Sequence, residues 1–506
     1  MKRIVILFCL VFWACVSKVC AQDEFHFNGT VSPYWSDVDN WQDGLKPEGD
    51  HAVVFLHNHV YIDDDVVVDD LLYAADSVVV TIATGYRLTV KGALEPPSAQ
   101  QLLLDDGARL LCGHAVKATV RKKISSQFGD KEAAAWHFIA SPLVGQLHPT
   151  DIDSLIPEGS NFELVRFNQS HVGGEWERYE DVAYQSSFLI ENGQGYLYAN
   201  GSEVMVSFVG ELLPNDLPVA VDLEYDDASN VTAKGVNLVG NPFACDAYVD
   251  KSYYKMNSEG DDFELVRASA NKPIVSCSGV MVQATALGQS VNFSRNPWTT
   301  DKGCIRLTLK SYDNVIDELI MSFNEGDAIE KFFFKEHEAF LYFQQDGSHY
   351  AILTAETLNS TPINFKTMEN GNYVLTVTPE NVNINSLHLV DNITGADVDL
   401  LSTPEYTFSA STSDYYSRFR LFVNTDHGMD ENVEMEESFA YYSNGKIVLQ
   451  DVEGEVVLEV VDLTGRIVKK QKVGGSENVV EIQTSGVYLL RLVNGKAVRT
   501  QKLVVW

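Results

Sequence analysis

The sequence predicts an all-β, multidomain chain. Three observations carry that prediction. Segments such as VVVTI (78–82), EVMVSF (203–208) and NYVLTV (372–377) are short and rich in β-branched and aromatic residues. Gly, Asn, Asp and Pro bound them at close intervals. Helical periodicity is scarce, and its best candidate, GDKEAAAW at 129–136, is about two turns at most.

The chain of 506 residues opens with a secretory signal pattern. Lys2 and Arg3 precede an apolar run of 13 residues, 4–16, which is too short to span a bilayer. Val19-Cys20-Ala21 supplies small residues for cleavage before Gln22 and sets 1–21 as the signal peptide. Cys20 raises a lipoprotein alternative, but Ser17-Lys18-Val19 lacks the Leu and small residue of a lipobox. No later apolar run approaches the ~18 residues of a transmembrane segment. Export from the cytoplasm follows, and with the resemblance described below it implies an extracellular or outer-membrane-surface location.

The net charge is −34, and the signal peptide contains three basic residues and no acid. So acidic a surface argues against nucleic acid, whose phosphates require Lys and Arg. It suits a well-solvated extracellular protein. Three of the seven cysteines lie in the signal, leaving Cys112, Cys245, Cys277 and Cys304. Export permits disulfides, and Cys245 with Cys277 is the preferred pair because both fall in one expected unit; buried thiols are the alternative.

Residues 22–123 hold very short strands separated by acidic or Gly turns, as in HVYIDDDVVVDDLLYAADSVVVTI (59–82). That spacing predicts a solenoid-like layer, with a plain sandwich as the alternative. Residues 124–296 contain an ordered series of matches. AWHFIASPL (135–143) aligns with GVNLVGNPF (235–243), FELVR (162–166) with FELVR (263–267), and GYLY (195–198) with GVMV (279–282). The series predicts a duplicated β domain with copies at about 135–210 and 235–295, the first copy enlarged around SHVGGEWERYEDV (170–182). Residues 297–424 carry hairpin signals at roughly 8–12-residue spacing, as expected of a β-sandwich.

Residues 425–438 form an acidic linker with six acids and no Lys or Arg. Beyond it the charge changes sign: 461–506 has eight basic residues against three acids. Seven strand-like words fill 439–506: FAYY, KIVLQ, EVVLEVVD, RIVKKQKV, NVVEI, GVYLLRLV and AVRTQKLVVW. That density predicts a small immunoglobulin-like sandwich.

Three words in this last segment carry a resemblance. VVDLTGRIV (460–468), GVYLLRLVNGK (486–496) and the terminal KLVV (502–505) resemble the type A C-terminal sorting domain of type IX secretion system cargo. The residues matching its motif are Asp462, Gly465, Arg466, Gly486, Tyr488, Leu490, Gly495, Lys496 and Lys502. Trp506 extends past the usual end. The resemblance implies the secretion and sorting machinery as partner, removal of 439–506, and attachment to surface lipopolysaccharide. NLVGNPFACDAYV (237–249) and the stretch ending RFRLFV (418–423) resemble uncharacterised regions of other such cargo. The opening around Trp35 and Trp41 resembles secreted bacterial proteins with parallel β-helix-like domains.

Chemistry is sparsely marked. Asp63, Asp64, Asp65, Asp69 and Asp70 flank a short strand and are the best calcium candidates, although none fits an EF-hand loop. His57-x-His59 places two imidazoles on one face of a strand, as a metal requires. Trp176 and Tyr179, in the enlarged loop of the first copy, are candidate binding aromatics for an extracellular protein or glycan. Ser77 and Ser154 sit in D-S-aliphatic words like the O-glycosylation word of the same bacteria. H-E-x-x-H and G-x-S-x-G are absent from the sequence, and no catalytic residue is nominated. An adhesin-like or structural binding protein is the first expectation, and a surface hydrolase or glycan-capture protein the second.

Overall fold

The computed structural model describes residues 23–47, 51–125, 135–157, 159, 161–228, 231, 233–345, 347–354, 360–414, 416–425, 439–443, 446–449, 456–462, 466–474, 479–482, 484–494 and 497–505. The signal peptide, most of the helical candidate at 129–136, nearly all of the acidic linker, and Gly465, Gly495 and Lys496 lie outside them. The chain divides into two compact units. One comprises Met1–Lys122 with Ser207–Asp216, the other Lys123–Val206 with Leu217–Trp506. Among the described residues Val182–Gln185 is the only α-helix.

The first unit is a parallel β-solenoid. Asp23–Phe27, Ala52–Leu56 and Asp70–Tyr73 stack in parallel on one face. Val60–Ile62, Val80–Ile82 and Leu102–Leu104 stack on a second, which continues into Val116–Ile124. Val66–Val68, Arg87–Val90 and Arg109–Cys112 form the third. Strands of three or four residues suffice, because each face need only turn alternate side chains inward. Val54, Leu56, Ile62, Val68, Leu71, Val80, Ile82, Leu88, Leu102 and Leu104 do so and are fully buried. Parallel pairing on all three faces rules out the plain sandwich.

In the second unit two four-stranded antiparallel sheets share one strand order. His137–Ala140, Gly195–Asn200, Phe162–Phe167 and Trp176–Arg178 form the first in spatial order. Val236–Gly240, Gly279–Gln283, Tyr253–Met256 and Phe263–Val266 form the second. In each, chain order reads first, fourth, second, third. One sequence match is thereby corrected. Phe162–Phe167 is an inner strand and Phe263–Val266 an edge strand, so the topological counterpart of Phe162–Phe167 is Tyr253–Met256. The shared FELV word reflects a common burial pattern, half-exposed then buried, in two different positions.

Residues 304–425 form one eleven-stranded sheet, and all of its members but the short strand Ile329–Glu330 contribute to a common apolar centre. Leu307, Leu319, Leu341, Phe365, Leu375, Leu389, Phe408 and Phe419 meet there, so the sheet folds over on itself as a sandwich. A second core joins this sheet to the two four-stranded sheets through Ile320, Ile329 and Ile352 against Leu238, Tyr254 and Met281. At the C-terminus seven strands make two sheets. Ala440–Ser443, Lys446–Leu449 and Val479–Glu481 form one; Ile467–Val473, Val456–Asp462, Gly486–Asn494 and Ala497–Val505 form the other. Phe439, Ile447, Leu458, Val460, Val480 and Leu490 fill the space between them.

Candidate functional site

A cleft of about 320 Å³ in the second unit gathers residues from three distant segments: 254–265, 315–318 and 331–337. The strand Asn314–Ser322 supplies two consecutive acids whose side chains a strand sends to opposite faces. Asp317 takes a position that its neighbours Leu319 and Met321 fill with apolar side chains, and is itself 5 % exposed. Burial pushes its carboxyl above the usual range, against the pull of Lys331. Lys331 Nζ stands 2.6 Å from Asp317 Oδ1 and donates to the Glu318 carbonyl at 2.7 Å. The Leu341 N–H donates to Asp317 Oδ2 at 2.7 Å.

His337 links this pair to the rim. Its Nε2 bonds Asp262 Oδ2 at 3.0 Å, while its Nδ1, buried and without a hydrogen-bond partner, faces Asp317 Oδ1 at 3.9 Å. Lys335 bonds Asp261 at 2.9 Å, and Asp261 is held low by hydrogen bonds from Asn257 and then Lys335. Glu318 rises through burial, with Asp317 and Glu264 adding negative charge nearby and Arg306, at 2.9 Å, opposing. Phe263, Phe332 and Phe333 supply the apolar wall, with Phe263 and Phe332 stacked at 5.8 Å between ring centres. A cleft of this kind offers aromatic faces and carboxylates to one small group.

Beside it runs an ion-pair chain. Arg267, 3 % exposed, grips both oxygens of Asp301. Arg306 bonds Glu380 at 2.7 Å. Against the upward push of burial, hydrogen bonds from Arg267, Asn381 and the Gly303 N–H hold the Asp301 carboxyl at about 2.

The residues nominated from sequence fall elsewhere. The calcium candidates do not converge, and among the described residues no group of three His, Cys, Asp or Glu side chains is placed to hold a metal ion. They occupy two solenoid corners and are consumed locally. Asp63 accepts from the Ser36 N–H and hydroxyl, Asp64 pairs with Lys46 at 3.1 Å, and Asp65 pairs with Arg87 at 3.2 Å. Asp69 faces His51, and Asp70 accepts the Ala93 N–H at 2.6 Å. His57 and His59 do not act together: His57 Nε2 lies 3.0 Å from His26 Nδ1, whereas His59 Nδ1 accepts the Val79 N–H.

Trp176 and Tyr179 are packing residues. The expected loop is a hairpin arm in which Trp176 abuts Phe167 at 5.0 Å and Phe334 at 6.4 Å. Tyr179 is buried against Phe188 at 5.6 Å. Cys245 and Cys277 are buried thiols, so the expected bridge is not formed. They do share one loop cluster: Asn241 donates to the Cys245 carbonyl through Nδ2 and to the Ser278 carbonyl through its N–H. Cys277 turns its sulfur toward the Ser276 hydroxyl, 3.6 Å away. Ser77 is exposed on a turn before buried Val78; Ser154, at φ +62°, precedes buried Leu155. The cleft residues were missed because they come from three short stretches far apart in the chain, with no spacing to connect them.

In the C-terminal sandwich the described motif residues build the fold. Asp462 accepts the Arg466 N–H and Nε–H, both at 3.1 Å, and ties the end of one strand to the start of the next. The Tyr488 hydroxyl donates to the Thr484 carbonyl at 3.0 Å, the back-bond of a tyrosine corner. Leu490 is fully buried, Gly486 pairs with Val505, and Lys502 pairs with Leu489.

A search of curated proteins gives no match to the chain. No helix among the described residues is long and apolar enough to cross a membrane. Residues 443–506 match the family described as the secretion system C-terminal sorting domain. With the seven described strands of the sandwich in place, the chain is a type IX secretion cargo protein that carries a C-terminal sorting domain and is delivered to the cell surface or the extracellular space.

Proposed function

We propose that the delivered protein is a binding protein of the adhesin or structural type, and that the aromatic and acidic cleft is its ligand seat. The carrying observation is the meeting of Phe263, Phe332 and Phe333 with Asp262, Glu264 and Glu318 in one space of about 320 Å³ on a β scaffold. Aromatic faces stack on sugar rings or peptide side chains, and carboxylates fix their hydroxyls or amines. The ligand is an extracellular glycan or protein. Export begins with removal of 1–21, and loss of the sorting domain precedes attachment to surface lipopolysaccharide. The shared strand order of the two sheets supports duplication of one β unit.

A second reading, hydrolysis, has one specific support: the Glu318 carboxyl is raised by burial, as a general acid requires. Glycan and peptide arrays, run beside a turnover screen, separate the readings. Binding lost in Phe333→Ala without turnover supports the first; turnover lost in Glu318→Gln establishes the second. Full binding by Phe333→Ala removes the cleft from the account.

A further inference from the structure

We infer that Lys331 and Asp317 condense to an intramolecular isopeptide bond, cross-linking the strand Asn314–Ser322 to the segment that follows Ile329–Glu330. The reacting atoms are already together: Lys331 Nζ is 2.6 Å from Asp317 Oδ1, and each side chain is 5 % exposed. Removing two charges from water costs several kcal/mol per ion, and attraction in a dry interior only partly offsets this. Amide formation abolishes both charges at once. Burial favours the neutral carboxyl, the form that an amine attacks.

The surroundings supply the remaining parts. The Leu341 N–H donates to Asp317 Oδ2 at 2.7 Å, where negative charge develops as the carbon becomes tetrahedral. His337 Nε2 bonds Asp262 Oδ2 at 3.0 Å, so in the neutral ring the proton sits on Nε2 and the lone pair on Nδ1. That Nδ1 is the buried nitrogen without a partner, 3.9 Å from Asp317 Oδ1. A relay for one proton accounts for its position.

The step balances without another reagent. The Lys331 ammonium passes a proton to Asp317 Oδ1, giving a neutral amine and a neutral acid. The amine lone pair attacks Cγ and forms the C–N bond, with the oxyanion on Oδ2 held by Leu341. His337 Nδ1 takes a proton from the attacking nitrogen and returns it to Oδ1. The C–Oδ1 bond breaks and water leaves. One ammonium and one carboxylate become one amide and one water. His337 is a positioning and relay residue, and Asp262 orients it.

The test is peptide-level mass spectrometry of the full chain after trypsin. The expected result is a branched peptide joining residues 317 and 331, lighter by one water than its two parts, with no cleavage after Lys331. Unmodified peptides and ordinary cleavage after Lys331 overturn the inference and leave an ion pair. Lys331→Arg abolishes the branched peptide. Asp317→Ala, which has no Cγ to attack, abolishes it as well, and a peptide joining Lys331 to another residue in that variant overturns the attack at Cγ. His337→Ala slows linkage in a time course after refolding, and an unchanged rate removes His337 from the mechanism. The wild-type peptide map decides the bond itself even if every variant fails to fold.

Discussion

Gly193 and Cys277 occupy equivalent left-handed turns, at φ +81° and +58°, and each carbonyl accepts the N–H that ends the first strand of the opposite sheet. Gly240 donates to Gly193 at 2.8 Å and Ala140 to Cys277 at 3.1 Å. Ala140 pairs with Gly195 in one sheet, and Gly240 with Gly279 in the other. Four small residues thus line a seam with approximate twofold symmetry. A Cβ on Gly240 would lie 2.5 Å from both the Ala140 Cβ and the Gln194 carbonyl oxygen. Backbone cannot yield there as a flexible side chain does. Gly240→Ala is therefore expected to destabilise by about 3 kcal/mol in urea unfolding, at the upper end of overpacking. Ala140→Gly should cost about 1 kcal/mol. Equal costs would show that the seam is not tightly packed.

The same seam shows what the sequence made legible. ASPL at 140–143 and GNPF at 240–243 announced it, because the residue before each proline caps the residue after: Ser141 Oγ accepts from Leu143, and Asn241 Oδ1 from Phe243. Local chemistry of this sort is written in adjacent residues. So were the seven strands of the sorting domain and the solenoid, whose turns repeat every few residues. The cleft was not legible. Tyr254 bonds the carbonyl of Glu330 across 76 positions, and only the packing of one sheet on another brings such residues together. The acidic words misled for a related reason, since Asp63 to Asp70 read as a cluster but straddle two corners.

Tyr179 and Trp176 test the reassignment of the hairpin arm. Tyr179 is buried, and its ring meets Phe188, His148 and Phe162. Tyr179→Ala should lose about 3 kcal/mol, within the range for large aromatic truncations. Trp176→Ala, at a partly buried site, should lose about 2 kcal/mol. Calorimetry measures both. A variant with wild-type stability but lost ligand binding would restore the binding role.

Asp301 predicts a specific acid sensitivity. Its folded carboxyl titrates at about 2, below the unfolded value of roughly 3.9, so it contributes stability above the unfolded value. That contribution is lost as pH falls through the folded value, between about pH 4 and pH 2. The linkage is worth roughly 2 kcal/mol for a group largely shielded from solvent. Asp301→Asn should flatten this part of the stability–pH curve. It should also cost about 3 kcal/mol at pH 7, because Arg267 is left buried without its carboxylate. Chemical unfolding at stepped pH reads both effects, and an unchanged acid slope refutes the assignment.

The sorting domain makes the most direct prediction. Its described motif residues sit in a folded sandwich, with Tyr488 bonding back to Thr484 and Leu490 at the centre of the core. The address is therefore presented by a fold, and unfolding should erase it as fully as deletion. Removing residues 439–506 should leave the protein within the cell envelope, measured by fractionation and by protease shaving of intact cells. Leu490→Asp, which places a carboxylate among Leu458, Val460 and Leu492, should do the same while keeping nearly every motif residue. Residues 439–506 fused behind a signal peptide and a fluorescent reporter should carry the reporter outside. Surface delivery of the deletion variant would refute the assignment. Export of Leu490→Asp would mean that a linear word, and not the sandwich, is what the machinery reads.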